Sequence, residues 1–588
     1  MALRRRVELP LRDHGAIGDG QRAALVASNG AIDWFAPGGL DGAPTCYSLL
    51  DDAKGGEVRF GPPRPDWTGT QTLANDEAPI VATRFDTPEG SFEVVDHLSN
   101  GRIVRALTVL RGNVEVLLSA QPALAFGPPR RVERWSNGVA FGGIRVEGCE
   151  PNVVEQLRAG EHRLVTISIE EGRGVTRTTT ERHYPTWNEA VDERHRLQRA
   201  WRSDVGSVEG ETPLRWAMLR SVRALRLLTV STSRDSALLR ALTTSVPART
   251  GNERNIDERF AWLRDNAHAV RVWTRLDRRD WADQHRNWLA DRAGDELPLG
   301  PAYTPAGDLP RSEEEISVPG WRGNGPVRVG ARSPLDLGAI AELSLVLDDR
   351  QSWSQLERLG DWLAEHHAHA EAGRWDARSR PRRSIESALA TRSALAALIS
   401  TARRRNPLDL VTIGWSEALA ALDAFLMDQG RFGVESSAGW RRVGAELADD
   451  TVDASILRWL AASELPDLKD DGDGEAVHRA KVTLDQAVAQ LTEWPFTHRH
   501  LPHVDDGLPP GQGADMWASF TMVSALARAD RWDEAHARMD ALLSCLGPTH
   551  VGATHCDPMT GDLRGNLLAA PMHLALIDAA LDLNRGPR

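Results

Sequence analysis

The segment Trp262-Leu263-Arg264-Asp265 places an aromatic ring directly beside an oppositely charged pair of side chains. An Arg–Asp pair can hold hydroxyl groups through charge-assisted hydrogen bonds, while an aromatic face stacks on an apolar ring surface. The segment therefore has the chemistry to bind a sugar or a similar polyol. A buried ion pair at the start of a helix is the structural alternative.

A histidine cluster is the other grouping that could do chemistry. It reads His366-His367-Ala368-His369 and is preceded by Glu365. The cluster lacks the His-Glu-x-x-His spacing of zinc proteases, and a solvated helix end is the simpler interpretation. The chain also has no glycine run followed by Lys-Ser/Thr and no Gly-x-Ser-x-Gly elbow. We therefore expect neither a metal ion nor an organic cofactor.

Composition and charge exclude several classes of protein. A chain of 588 residues is too long for one hydrophobic core, so at least two domains are expected. A net charge of −13 argues against nucleic-acid binding, which requires a basic face. The sequence shows neither the apolar run of a secretory signal nor a membrane span, and its four cysteines are too few for a disulfide framework. These features predict a cytoplasmic protein with reduced thiols.

The elements that must position the candidate residues fall into two parts, of which the first is rich in strands. Residues 1–185 contain short β-branched runs punctuated by glycine and proline, which favours an N-terminal β-sandwich. Within this part, Arg111-Gly112-Asn113 has the pattern of a hairpin turn between the runs Ile103–Val109 and Val114–Leu118. We expect a linker at residues 186–211.

The second part, residues 212–588, shows helical spacing of its apolar residues. Thr212-Pro213 is typical of a helix start, because threonine caps helices and proline is tolerated in the first turn. Further amphipathic stretches lie at 336–348, 352–367, 385–403, 415–428, 451–462, 475–492, 514–528 and 532–546. Helices in this number can pair into an α/α-barrel, and the lack of a fixed repeat period weighs against a solenoid.

Short motifs follow one another in order along nearly the whole chain. They are Asp13–Gly20, Asn29–Trp34, Thr243–Pro247, Asn252–Asn255, Trp262–Asp265, Gly320–Gly323, Pro326–Gly330, Asp557–Pro558, Gly565–Asn566 and His573–Ile577. Together they resemble the bacterial members of glycoside hydrolase family 15, the glucoamylase and trehalase-like family. The resemblance implies an N-terminal β-sandwich followed by an (α/α)6 barrel, in agreement with the pattern of strands and helices.

The resemblance also implies hydrolysis of α-glucosidic bonds with inversion. That reaction needs two carboxyl groups about 6.5–9.5 Å apart, which leaves room for water. The family's general acid, a glutamate after a tryptophan, matches Asp376, whose side chain is one methylene shorter. Its general base, a glutamate, matches Thr554, whose hydroxyl cannot accept a proton at neutral pH. His555 has the pKa range of a base, although its side chain would point differently from that of Thr554.

The residues that would hold the sugar follow from the same resemblance. They are Trp262, Arg264, Asp265, Trp321, Arg322, Arg328 and Trp375. Other polar positions of the family differ here, since Ser387-Ala388 stands in place of Ser-Lys and Gln512–Asp515 in place of Glu-Gly-Ala-Phe. A carboxylate from another loop, Asp336 or Asp515, could also have taken the base position.

Three functions remain open at this point. The first is an enzyme that acts on an α-glucoside or related polyol by single-acid or impaired inverting chemistry. The second is a barrel repurposed for elimination, isomerisation or cyclisation, which needs only one acid. The third is a sugar-binding or scaffold protein without activity. The family resemblance favours the first, and the missing base favours the others. The expected partner is a small carbohydrate rather than nucleic acid or a membrane, and the oligomeric state is open, with a homo-oligomer included.

Overall fold

A computed structural model describes residues 9–121, 123, 132–169, 185–206, 214–234, 237–245, 256–323, 327–406, 411–428, 439–444, 451–461, 475–509 and 511–586. The expected helix start Thr212-Pro213 and the motif Asn252–Asn255 lie outside these residues, as do Pro247 and Pro326. In the part of the chain that is described, no helix has the length and apolar character needed to cross a membrane.

The first part of the chain is a β-rich domain. Its strands in the described residues are β1 His14–Gly18, β2 Ala23–Ala27, β3 Ala31–Phe35, β4 Glu57–Gly61, β5 Thr68–Leu73, β6 Val81–Thr87, β7 Gly90–Ser99, β8 Arg102–Gln121, β9 Glu133–Trp135, β10 Gly138–Phe141, β11 Ile144–Glu147, β12 Val154–Arg158 and β13 His162–Ile169. All pairings are antiparallel, and a buried cluster of valine, isoleucine, leucine and phenylalanine side chains packs among the strands. Apolar side chains thus build the core of this domain, and its short strands agree with the β-branched runs of the sequence.

Strand β8 is continuous through the segment that the sequence marks as a hairpin. Its first half pairs with β7 and β13, and its second half pairs with β4 and β12. Gly112 has a φ of 75°, and a Cβ atom there would meet the carbonyl oxygen of Glu89 at 2.1 Å. The glycine therefore bends the strand from one set of partners to another without reversing it. The predicted hairpin turn at Arg111–Asn113 is wrong for this reason.

Most of the stretch expected to be a linker is a helix, α1, which spans Trp187–Val205. Thr186 and Glu189 form a reciprocal capping box at its start, which satisfies backbone donors that the helix leaves open. The side chain of Arg102 on β8 donates to Glu193 over 2.7 Å. Local capping and this ion pair therefore hold a helix against the β-rich domain, and the linker role expected for 186–211 stays a prediction.

The second part of the chain is a helical domain. Its helices in the described residues are α2 Arg215–Leu228, α3 Leu263–Arg275, α4 Arg279–Ala293, α5 Leu337–Ser344, α6 Trp353–His366, α7 Ile385–Arg405, α8 Thr412–Asp428, α9 Leu457–Leu460, α10 Glu475–Leu491, α11 Met516–Arg528, α12 Trp532–Ser544 and α13 Ala570–Leu583. Helices α5 to α12 confirm the amphipathic stretches predicted between residues 336 and 546. One continuous apolar core runs through them.

Short strands lie between the helices. They are β14 Thr229–Arg234, β15 Ala237–Leu242, β16 Ala261–Trp262, β17 Ala302–Tyr303, β18 Glu314–Ile316, β19 Val327–Val329, β20 Thr492–Glu493, β21 Phe496–Thr497, β22 Ala514–Asp515, β23 Ala553–Cys556 and β24 Leu563–Leu567. The last five form one antiparallel sheet in the order β20-β21-β22-β23-β24. This sheet brings Asp515, Thr554 and Asn566 close together, although they are far apart in sequence.

Candidate active site

One cavity in the helical domain gathers most of the residues that the sequence selects. It is lined by Trp262, Arg264, Asp265, Trp375, Asp376 and Thr554. The same cavity contains Asp515, considered above as a replacement base, and residues that the sequence did not select for binding or catalysis, among them Glu258, Arg374, Arg499, Trp517 and Met572. Four separate segments of the helical domain thus contribute a carboxyl group to one cavity.

Asp376 is a buried carboxylic acid on the loop between α6 and α7. Its backbone has a φ of 48°, and its amide donates to the carbonyl of Gly373 over 3.1 Å. Burial raises the pKa of Asp376 to about 7, against the opposing effect of the nearby Arg332 and Arg378 guanidinium groups. Nη1 of Arg332 lies 3.1 Å from Oδ1, and Nη2 of Arg378 lies 3.8 Å from Oδ2. A carboxyl group with a pKa near neutrality can act as a general acid.

Trp375 is fixed in place by three neighbours. Its indole Nε1 donates to Oδ1 of Asp453 over 2.8 Å. Its ring meets the edge of Trp517 with centroids 5.7 Å apart, and the guanidinium carbon of Arg499 lies 4.6 Å from its centroid. These contacts hold the aromatic surface beside Asp376 in one orientation, which favours stacking of a ligand without prior ordering of the ring.

Arg264 is surrounded by carboxylates. Its guanidinium binds Asp336 through two hydrogen bonds of 2.9 and 2.6 Å, and its Nη1 also donates to Glu342 and Glu386, each over 2.9 Å. Arg374 donates to the same Glu342 over 2.6 Å. Burial opposes the charge of Arg264, yet the three carboxylates raise its pKa well above the usual value. Every guanidinium nitrogen thus donates to a carboxylate, which favours the ion-pair alternative, and the sugar-binding role of Arg264 stays a prediction.

Asp265 and Trp262 stand at the start of helix α3. Trp262 is the residue before the first helical turn, and Asp265 lies within that turn. Asp265 accepts a hydrogen bond from the hydroxyl of Thr244, and burial raises the pKa of this carboxyl to about 6 despite that bond. Both side chains remain partly exposed to the cavity. They can therefore contact a ligand directly, unlike the enclosed guanidinium of Arg264.

Thr554 and His555 point to different surroundings. The pairing of β23 with β24 shifts between Ala553 and His555, so Thr554 sits in a bulge and lines the cavity. Its Oγ1 accepts the backbone amide of Asn566 over 3.1 Å. His555 is fully buried and outside the cavity lining, with Nδ1 2.9 Å from Thr554 Oγ1 and Nε2 3.5 Å from Asp515 Oδ2. The structure does not bring His555 to the place where a base would act.

The two aspartates considered as replacement bases have other partners. Oδ1 of Asp515 accepts the amide of Ala518 at the start of α11, and its Oδ2 accepts Nε of Arg499 over 2.7 Å. Asp336 caps helix α5 through the amide of Ala339 and binds Arg264 through both oxygens. Both carboxylates are buried and organise helix starts, so neither is placed to take a proton from water.

The loop residues Trp321, Arg322 and Arg328 lie outside the lining of this cavity. Trp321 is buried, and the guanidinium carbon of the exposed Arg322 lies 4.3 Å from its ring centroid. Arg328 on β19 lies 3.6 Å from Glu315 of the neighbouring strand β18. The contact of these three residues with a sugar therefore stays a prediction.

Glu258 is the cavity residue that the sequence motifs do not reveal. It lies between Asn252–Asn255 and Trp262–Asp265, and its side chain is partly exposed. Its Oε2 accepts Nδ2 of Asn566 over 2.9 Å. The signal in the sequence is a carboxylate between two motifs that the family resemblance assigns to sugar binding, and this position is equally typical of a surface acid.

Comparison with known proteins agrees with the fold and the motifs. No family model matches the chain. The chain is 26% identical to the trehalase of Mycolicibacterium smegmatis, over 98% of this chain and 91% of that protein. It is also 26% identical to the trehalase of Mycobacterium tuberculosis, over 98% and 90% respectively. Among solved structures, a bacterial glucoamylase complexed with acarbose matches with a TM-score of 0.67 and 10% identity, over 98% of this chain and 94% of that one.

The similarity to both trehalases extends along nearly the full length of each protein, so it includes the β-rich domain and the helical domain alike. The match to the glucoamylase shows the same fold. The chain is therefore similar to trehalases along nearly its whole length and shares the fold of a bacterial glucoamylase, in agreement with the resemblance to the glucoamylase and trehalase-like family.

Proposed function

We propose that the protein hydrolyses an α-glucosidic bond with inversion and that Asp376 is its general acid. The observation that carries this proposal is a buried carboxyl group with a pKa of about 7, beside a fixed tryptophan, in the cavity that also contains Trp262 and Asp265. The full-length similarity to trehalases makes trehalose the first substrate to test. The proposal includes the finer architecture, an N-terminal β-sandwich and an (α/α)6 barrel.

In this reaction each cavity residue has a distinct task. Asp376 in its protonated form gives a proton to the oxygen that leaves the anomeric carbon. The rings of Trp375 and Trp262 offer apolar surfaces on which a glucose ring stacks. Asp265 accepts hydrogen bonds from sugar hydroxyls. Arg264 holds the start of helix α3 against Asp336, so it positions Trp262 and Asp265.

The test measures glucose release from trehalose, maltose, isomaltose and panose. We expect release from at least one of them, and we expect Asp376→Asn to reduce kcat by at least a hundredfold, because an amide has no proton to give at neutral pH. The matched control is Asp540→Asn on the exposed face of α12, which makes the same chemical change far from the cavity.

The outcomes separate the remaining functions. Glucose release that persists in Asp376→Asn would exclude Asp376 as the acid. If no sugar is cleaved but calorimetry detects trehalose binding that Asp265→Ala weakens, the protein is a sugar-binding protein and the hydrolytic proposal is wrong. If sugars are neither cleaved nor bound, the cavity serves a different ligand and the proposal fails completely.

A further inference from the structure

The reaction needs a second carboxylate, and the position that matches the family's base is a threonine. Besides Asp376, the carboxyl groups that line the cavity within the described residues are Glu258, Asp265 and Asp515. Asp515 is buried, with its oxygens bound to a helix start and to Arg499. Asp265 is bonded to Thr244 at the start of helix α3. Glu258 is the remaining carboxylate of the cavity lining, and its side chain is partly exposed.

Glu258 and Thr554 share a neighbour, Asn566. The backbone amide of Asn566 donates to Oγ1 of Thr554 over 3.1 Å, and its side-chain Nδ2 donates to Oε2 of Glu258 over 2.9 Å. One residue thus connects the hydroxyl at the expected base position with a carboxylate that enters the cavity from a different segment. Glu258 therefore brings a carboxylate to the same residue, Asn566, that binds the hydroxyl at position 554.

The local backbone explains how Asn566 holds both groups. Gly565 has a φ of 82°, and a Cβ atom there would lie 2.1 Å from Oγ1 of Thr554. The glycine lets β24 pass close to Thr554, so that the following residue, Asn566, is within hydrogen-bond reach of Thr554 and Glu258. The bulge in β23 directs Thr554 towards the same cavity. The Thr554–Asn566–Glu258 connection is therefore built into the small sheet.

We infer that Glu258 is the general base of the proposed hydrolysis and replaces the carboxylate that is absent at Thr554. This inference rests on the proposed function. Ionised Glu258 takes a proton from a water molecule as the water oxygen bonds to the anomeric carbon. The bond from that carbon to the leaving oxygen breaks, and the leaving oxygen takes the proton of Asp376. Glu258 ends protonated and Asp376 ionised, and exchange of one proton with solvent restores both.

The side chain of Glu258 suits this task by its exposure and its partner. It is partly exposed to the cavity, so water can reach it, whereas His555 has no exposed surface. The amide of Asn566 orients the carboxylate, and an amide donor cannot take up the proton that the base receives. Asn566 is thus a positioning residue, while Glu258 itself contacts the reacting water.

The first experiment compares Glu258→Gln with wild type on whichever disaccharide wild type cleaves. We expect kcat to fall by at least a hundredfold and KM to change by less than threefold, because the base acts on water and contributes little to sugar binding. Glu417→Gln is the matched control, since Glu417 lies on the exposed face of α8. Melting curves show whether each variant is folded. If Glu258→Gln is unfolded, Glu258→Asp, which keeps the carboxylate, is compared with wild type in its place.

Azide provides a readout that a purely structural role would not affect. In Glu258→Ala, azide can occupy the space of the lost carboxylate and attack the anomeric carbon while Asp376 still protonates the leaving oxygen. We expect a glucosyl azide of inverted configuration from this variant and none from wild type or from Asp376→Ala. Mass spectrometry and proton NMR identify the product and its configuration.

The outcomes distinguish this inference from the proposed function. If wild type cleaves no sugar, the proposed function fails and the role of Glu258 fails with it. If wild type is active and Asp376→Asn is not, but Glu258→Gln keeps more than a third of kcat, then only the assignment of Glu258 is overturned. A loss of kcat in Glu258→Gln without azide product in Glu258→Ala would likewise overturn it and leave the acid in place.

Discussion

Nη1 of Arg332 lies 3.1 Å from Oδ1 of Asp376, so the candidate general acid is paired with a guanidinium group whose side chain is 35% exposed. Two opposing effects act on this carboxyl, because burial raises its pKa and the nearby cation lowers it. The balance leaves Asp376 protonated up to about pH 7, the range in which a general acid is useful. The geometry therefore predicts how activity depends on pH.

The activity of the wild-type protein should fall as the pH rises through about 7. The acid form of Asp376 is needed, and its pKa is about 7 because the carboxyl is buried. The measurement is kcat between pH 4 and pH 9, with the disaccharide that is cleaved. A kcat that stays constant up to pH 9 would contradict the assignment of Asp376 as the acid.

Substitution of Arg332 by glutamine should move the alkaline limb of the same profile to higher pH. Removal of the cation raises the pKa of Asp376, so its proton is kept to higher pH, and we expect a displacement of about one pH unit. The exposed Arg279→Gln on α4 is the control, because its side chain pairs with Asp277 at the surface. An unchanged or lowered alkaline limb would show that Arg332 does not act on this carboxyl.

Asp376→Asn should stabilise the folded protein at high pH. A carboxyl whose folded pKa of about 7 exceeds its unfolded value holds its proton more tightly when folded, so its contribution to stability is present at low pH and is lost as the pH rises through about 7. The asparagine variant does not lose this contribution. We expect its melting temperature to exceed that of wild type by about 1–3 °C at pH 8, with a smaller difference at pH 5. A difference that does not grow with pH would contradict the raised pKa.

Arg264→Ala should destabilise the protein by roughly 3–5 kcal/mol, because it leaves Asp336, Glu342 and Glu386 without the cation that they share. Denaturant unfolding followed by tryptophan fluorescence measures the change. Arg264→Lys keeps a charge but not the two-point contact with Asp336, so an intermediate loss is expected. A folded Arg264→Ala variant with normal stability and weak sugar binding would instead favour the sugar-binding role.

A carboxylate restored at position 554 should partly replace Glu258. The double variant Glu258→Gln, Thr554→Glu should have a kcat at least tenfold above that of Glu258→Gln alone, because Thr554 lines the same cavity and shares Asn566 with Glu258. The comparison is made at one pH with the same substrate. No gain in a folded double variant would show that a base at 554 cannot reach the attacking water, and that the cavity has changed beyond the two positions.

Local patterns of the sequence predict much of the fold. Apolar spacing locates helices α5 to α12, and short β-branched runs indicate the strands of the β-rich domain. The pattern fails at Gly112, since glycine supplies a positive φ in β-bulges as well as in turns. Within the segment expected to be a linker, Thr186 and Glu189 cap the start of helix α1, and the linker role of 186–211 stays a prediction.

The candidate site depends on contacts that no local pattern contains. Arg264 meets Asp336, Glu342 and Glu386 across sequence separations of 72, 78 and 122 residues. Family motifs identify Asp376 and Thr554 because those positions carry matching neighbours in sequence. Glu258 lies outside these motifs. It is connected to Thr554 through Asn566, a residue 308 positions away from it in sequence.

Arg264 and the three carboxylates around it, Asp336, Glu342 and Glu386, also restrict which substitutions the protein tolerates. Loss of the arginine leaves three buried negative charges without their shared partner, and loss of one aspartate or glutamate alters the balance for the rest. A single substitution among these four residues therefore lowers the stability of the fold, even where a coordinated set of substitutions would be tolerated.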